Sequence, residues 1–192
     1  KIYFHIGYPK TATVFLQKKF FSKQKEIEFF CRNFSVNNKS IFLILNQIIL
    51  MEDEEYIKEK IKIKRNFDLI NFSENKINLI SDQNILCHKY RANNDIYRTL
   101  DRIKEIFVKE DLELNIFFST RKQDDAILSI YRQFYFSYFE KNLPNINKMF
   151  SNIKNHEIKE ILESLKYYKI FSFLSNKFGG KNVKIFPYEL LK

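Results

Sequence analysis

Five short apolar runs rich in Ile and Phe recur along this chain, separated by longer segments with helical spacing. The runs are Lys1–Gly7, Ile27–Cys31, Lys76–Ser81, Glu113–Ser119 and Asn182–Pro187. Between them, Thr13–Phe21, Ser40–Met51, Glu54–Lys64, Asp95–Val108, Asp124–Phe139 and Asn155–Phe178 read as helices. Strands this apolar are buried on both faces, and strands that alternate with helices pair in parallel. With only 3 Gly and 3 Pro, a turn-dense all-β sandwich is excluded. The expectation is an α/β chain of three layers, a mainly parallel central sheet flanked by helices.

The 192 residues suit one domain spanning 1–192, and 45% hydrophobic with 29% charged residues lies in the globular range. Cys31 and Cys87 are too few for a disulfide framework, so free thiols in a reducing, cytoplasmic setting are expected. A net charge of +10 favours anionic partners without choosing among them. Much of it is interleaved with acids, as in Lys58–Arg65, the pattern of a solvated helix face. The longest apolar stretch, Ile41–Met51, is broken by Asn46 and Gln47 and is short of the roughly 20 residues that span a bilayer. No signal-peptide pattern is present, although the chain opens at Lys1 rather than Met.

The first strand runs into Gly7-Tyr8-Pro9-Lys10-Thr11-Ala12-Thr13-Val14 and then a helix in which Phe15, Leu16, Phe20 and Phe21 are expected to face the core. A sharp strand-to-helix turn aims free backbone N–H groups and the positive helix end at one spot. Lys10 adds a full charge there, and Thr11 and Thr13 add hydroxyls. The parts fit a phosphate or sulfate; the plainer alternative is a helix capped by Thr11 or Thr13 with Lys10 in solvent. The loop is not a Walker A motif, because no glycine stands immediately before Lys10.

This segment resembles the 5′-phosphosulfate loop, G-x-P-K-T-G-T-T-x-L-Q, of the sulfotransferases that use 3′-phosphoadenosine 5′-phosphosulfate (PAPS). Gly7, Pro9, Lys10, Thr11, Thr13, Leu16 and Gln17 match; Ala12 replaces a glycine and Val14 a Thr or Ser. Further on, Arg121 at a strand end and Ser129 eight positions later resemble the family's 3′-phosphate pair. The chemistry suits them, a planar guanidinium fork completed by a hydroxyl. Pairing of Arg121 with Asp124 or Asp125 is the alternative. Gln123 stands where the family often has Pro, whereas Tyr131-Arg132-Gln133 matches Y-x-Q. The end of the chain, Phe178-Gly179-Gly180-Lys181-Asn182-Val183 and Tyr188-Glu189-Leu190-Leu191, is similar to the family's F-G-x-x-N-V and Y-E-x-L.

The resemblance implies a P-loop-like fold, a bacterial-type member that stops before the family's final helices, and transfer of a sulfuryl group from PAPS to a hydroxyl or amine. The acceptor it implies is a carbohydrate or small metabolite. In that scheme Gly7, Pro9, Lys10, Thr11, Ala12, Thr13, Val14, Arg121, Ser129 and Tyr188 hold the donor, and Lys10 neutralises the leaving group. The family's glutamate after the second of its strands corresponds to Gln83 in Ser81-Asp82-Gln83-Asn84. A glutamine orients an acceptor but takes no proton, so His88 is the candidate base, with Asp82 a further option. His5, inside a strand, reads as a hydrogen-bonded core histidine. No histidine or cysteine spacing matches a metal site, and no metal is expected. Two other readings stay open: a nucleotide-dependent phosphotransferase, and a catalytically silent module binding acidic glycan or nucleic acid. The leading reading expects no nucleic-acid partner and leaves the oligomeric state undetermined.

Overall fold

The structure is a computed structural model, and it describes residues 1–8, 11–32, 39–86, 96–109, 112–134, 145–147, 162–163 and 165–191. Pro9, Lys10, Cys87 and His88 lie outside the described residues, as does most of Leu143–Met149, a segment whose composition suggests a loop.

Five strands form one sheet: β1 (Ile2–Ile6), β2 (Ile27–Cys31), β3 (Ile77–Asp82), β4 (Leu114–Thr120) and β5 (Val183–Pro187). Their order is β2-β3-β1-β4-β5, and every pairing is parallel. The apolar runs thus form strands where the composition places them, within a residue or so at the ends.

Parallel pairing brings all five carboxyl ends to one edge of the sheet. Register shows this directly: Ile6 lies opposite Asp82, His5 opposite Phe117, Cys31 opposite Ser81, and Thr120 opposite Pro187. Because β1 is central, the turn after it has the ends of β3 and β4 as immediate neighbours. Ligands of open α/β sheets gather at such an edge.

One sheet face packs against α2 (Lys39–Leu50), α3 (Asp53–Asp68), α4 (Ile96–Phe107) and α6 (Tyr167–Phe178). Alternation along β1 sends Ile2, Phe4 and Ile6 into this layer, where Phe4 stacks on Phe107 at 5.6 Å and Phe107 meets Phe67 at 4.4 Å. In α4, Leu100, Ile103 and Phe107 are fully buried, as their spacing predicts. The Lys58–Arg65 run is the mostly solvated face of α3, anchored by Tyr56, Ile63 and Phe67. Arg102 of α4 is itself buried. It donates to the carbonyls of Ile48 and Met51 at 3.0 and 2.7 Å, satisfying the carboxyl end of α2. α5 (Gln123–Phe134) follows β4. α6 stops at Gly179, whose φ of 87° is a backbone state that side-chain-bearing residues rarely adopt.

The helix after β1 departs from expectation. It begins as α1 (Thr13–Phe15), widens to a π turn (Leu16–Phe20) and tightens to a 3-10 turn (Phe21–Lys23). Residues four apart stay aligned through it, so Thr13, Gln17 and Phe21 are buried. Phe15 and Phe20, expected in the core, are exposed instead. The cause is polar: Gln17 turns inward to bond Ser81 of β3, and that rotates the neighbouring phenylalanines out.

Candidate active site

The turn after β1 is shaped by close contacts. The Gly7 N–H donates to the Asp82 carbonyl at 3.3 Å, holding the turn on the end of β3. A Cβ on Gly7 would lie 2.7 Å from Thr13 Cγ2 and 2.9 Å from Gln83 Cα, so only glycine fits. Thr11 and Thr13 both donate their hydroxyls to the Tyr8 carbonyl, at 2.9 and 3.2 Å. They stitch the turn together rather than capping the helix. The capping position belongs to Ala12, which has no side-chain cap and sits at φ 59°, ψ 20°. That left-handed state explains why a glycine is usual at this place in the related motif. The leading N–H groups of the helix are therefore left without a side-chain acceptor, the arrangement that suits a bound anion.

On the β4 side, Ser119 Oγ donates to the Thr11 carbonyl at 3.2 Å, which fixes the turn against the strand that delivers Arg121. The Arg121 guanidinium lies over the Tyr188 ring, 5.2 Å from its centroid. Tyr188 follows β5, so adjacent strand ends bring these two together. Tyr8 packs edge-on against Tyr167 at 4.8 Å. Burial raises the Tyr167 phenol above its ordinary pKa, with the Arg121 backbone and charge pulling the other way. Ser129 is half-buried in α5 and Val14 is exposed. Gln123 donates to the Leu165 carbonyl at 2.8 Å, anchoring the start of α5.

On the β3 side, Gln83 is exposed beside Gly7. Asp82 is committed elsewhere. Its Oδ2 accepts from Arg32 at 2.6 Å and its Oδ1 from the Asn84 N–H at 2.9 Å. Arg32 in turn donates to Asn46 Oδ1 at 2.7 Å. The carboxylate thus ties β2, α2 and β3 and is poorly placed to receive an acceptor's proton. Nothing in the sequence around Arg32 marks this role, since the pairing spans 50 residues.

His5 is fully buried between Phe117, stacked at 5.0 Å, and Phe21, edge-on at 5.4 Å. Its Nδ1 meets Ser81 Oγ at 2.8 Å, and the same oxygen accepts from Gln17 Nε2 at 2.9 Å. Burial lowers the His5 pKa to about 4. His5 is thus a structural link between β1, β3 and the first helix.

The sequence-derived site residues within the described set therefore gather on one sheet edge: Gly7, Thr11, Ala12 and Thr13 in the turn, Gln83 on one side, Arg121 and Tyr188 on the other. The fold that carries them is an α/β fold with a parallel five-stranded sheet, of the P-loop-like kind seen in sulfotransferases. The crystal structure of a sulfotransferase from Alicyclobacillus acidocaldarius superposes on 98% of this chain and 73% of its own, with a TM-score of 0.59 and 14% sequence identity. Sequence comparison finds no match, either to a protein-family profile or to a curated protein.

Proposed function

We propose that the chain is a sulfotransferase that takes its sulfuryl group from PAPS and gives it to a hydroxyl or amine, most simply of a carbohydrate or small metabolite. One observation carries the reading. An uncapped helix N-terminus opens at the centre of the strand-end edge, with Arg121 on one flank and Gln83 on the other. Adjacent strands lie about 4.8 Å apart, so this edge is wide enough for a nucleotide with phosphates at both ends of its ribose. The fold shared with a sulfotransferase supports the same reading.

Bound PAPS supplies the sulfuryl group, whose bond to the 5′-phosphate oxygen breaks as the acceptor's bond to sulfur forms. The helix N–H groups hold the 5′ end, and Lys10 neutralises charge gathering on the leaving oxygen. Arg121, with Ser129, holds the 3′-phosphate, and Tyr188 supports the guanidinium from behind. Gln83 orients the acceptor. The acceptor's proton passes to His88, because Gln83 is neutral and Asp82 is bound to Arg32.

Calorimetry with PAP, the desulfated product, set beside ATP with Mg²⁺ tests the proposal. PAP binding that ATP does not match is expected, together with transfer activity that Lys10→Ala abolishes while the melting temperature holds. Absence of PAP binding, or near-normal turnover in Lys10→Ala, overturns it.

A further inference from the structure

The positive charge is distributed unevenly. Residues 1–25 contain six lysines and neither an aspartate nor a glutamate. Four of these lysines, Lys18, Lys19, Lys23 and Lys25, lie on or just after the first helix, and all four are exposed. Lys19, Lys23 and Lys25 make no ion pair among the described residues.

The same helix displays apolar side chains to water. Val14 is 44% exposed, Phe15 58% and Phe20 52%. The alignment of residues four apart, which buries Thr13, Gln17 and Phe21, sets Phe15, Lys19 and Lys23 in a row on the opposite, outward face. Phe20 stands on its flank, braced edge-on against the buried Phe21 at 5.7 Å. A row of this kind presents apolar rings among uncompensated cations. Exposed apolar residues on α3 stand in a different setting. It shows Ile57 and Ile61, but Lys62 pairs with Glu59 at 3.0 Å and Lys60 pairs with Glu105 of α4, so cations beside them are compensated.

We propose that the outward face of the first helix docks on an anionic lipid surface. The lysines meet the acidic headgroups while Phe15 and Phe20 enter the boundary below them, each lysine keeping its head in water and its stem along the rings. Both parts of the patch find a partner there. A soluble polyanion would satisfy the lysines and leave the phenylalanines wet. Phe15 lies two residues beyond Thr13, so docking sets the strand-end edge close to the membrane surface. The surface is independent of the reaction proposed above and is tested without it.

The test is sedimentation of the full chain with vesicles of phosphatidylcholine, alone and mixed with phosphatidylserine. Binding to the mixed vesicles alone is expected, weakening as salt is added. Lys19→Gln with Lys23→Gln lowers the partition coefficient about 25-fold, from roughly fivefold for each lysine. Phe15→Ser with Phe20→Ser lowers it about tenfold or more. All four side chains are exposed, so melting temperatures hold, and the two pairs check each other. A heparin fragment is the second probe. Heparin binding that falls with the lysine pair but ignores the phenylalanine pair, without vesicle binding, overturns the proposal in favour of a soluble polyanion. Equal affinity for neutral and anionic vesicles overturns it as well.

Discussion

Gly7→Ala is the sharpest probe of the candidate site, because one methyl group tests both its packing and its ligand. The new Cβ would sit 2.7 Å from Thr13 Cγ2 and 2.9 Å from both Thr13 Oγ1 and Gln83 Cα. Carbon atoms in contact prefer about 3.5–4.0 Å, so the overlap is near 1 Å against two elements at once. Neither yields cheaply: Gln83 Cα is backbone at the end of β3, and the Thr13 hydroxyl is held on the Tyr8 carbonyl at 3.2 Å. Overpacking of this kind costs about 1–3 kcal/mol, or roughly 3–10 °C in Tm for a chain of this size. The strain is relieved by lifting the turn off β3, so PAP affinity should fall tenfold or more. The chain's two other glycines provide internal controls. A Cβ on Gly180 meets nothing within 4 Å, so alanine there should leave Tm unchanged or raise stability by about 0.4–1 kcal/mol. Gly179 has room but a φ of +87°, and alanine should cost about 1–3 kcal/mol through the backbone alone, leaving PAP binding intact. Thermal unfolding and PAP titration of the three variants provide the assay. If Gly7→Ala melts and binds like the parent, or is no worse than Gly180→Ala, the packing argument is wrong.

Three further outcomes follow from the same geometry. Ala12→Gly should raise Tm by about 2–4 °C, because the residue sits at φ 59° and glycine relieves roughly 1 kcal/mol of left-handed strain; a lower Tm contradicts this. Arg121→Ala should weaken PAP binding by about 1.5–3 kcal/mol if its guanidinium takes the 3′-phosphate, and an unchanged Kd removes it from the site. His5 makes stability depend on pH. Unfolded, it gains a proton below about 6.5; folded, it resists until about 4. The unfolded state binds more protons in that window, so stability is fully present above it and declines as pH falls through it. The loss is roughly 3 kcal/mol, complete near pH 4. Denaturant titrations of the parent and His5→Gln, whose amide can still reach Ser81, should differ by that slope, and parallel curves reject the assignment.

Much of the architecture was legible because it is local. Strand and helix segments announce themselves through apolar spacing, and an uninterrupted run such as Glu113–Ser119 has to be buried wherever the fold places it. The turn from Gly7 to Thr13 was legible for a similar reason: every residue that shapes it lies within a few positions of the others. Gly7 does so by lacking a Cβ, Thr11 and Thr13 by reaching back to Tyr8. Local spacing misjudged the helix that follows, where Phe15 and Phe20 look like core residues. Their exposure comes from Gln17 bonding Ser81 across 64 residues, and no apolar periodicity encodes a polar bond of that reach. The same holds for Asp82, an available carboxylate by sequence and the partner of Arg32 in space.

By itself, then, the order of residues determined which segments become strands and helices and where an anion-binding turn could form, since backbone preference and nearest-neighbour sterics act over short range. Only the tertiary structure decided that β1 takes the middle of the sheet, that Arg121 and Gln83 arrive on either side of its turn, and which helix face meets water. Those outcomes depend on strand order and on hydrogen bonds closed between distant segments, whose free energy is realised only once the whole sheet is assembled.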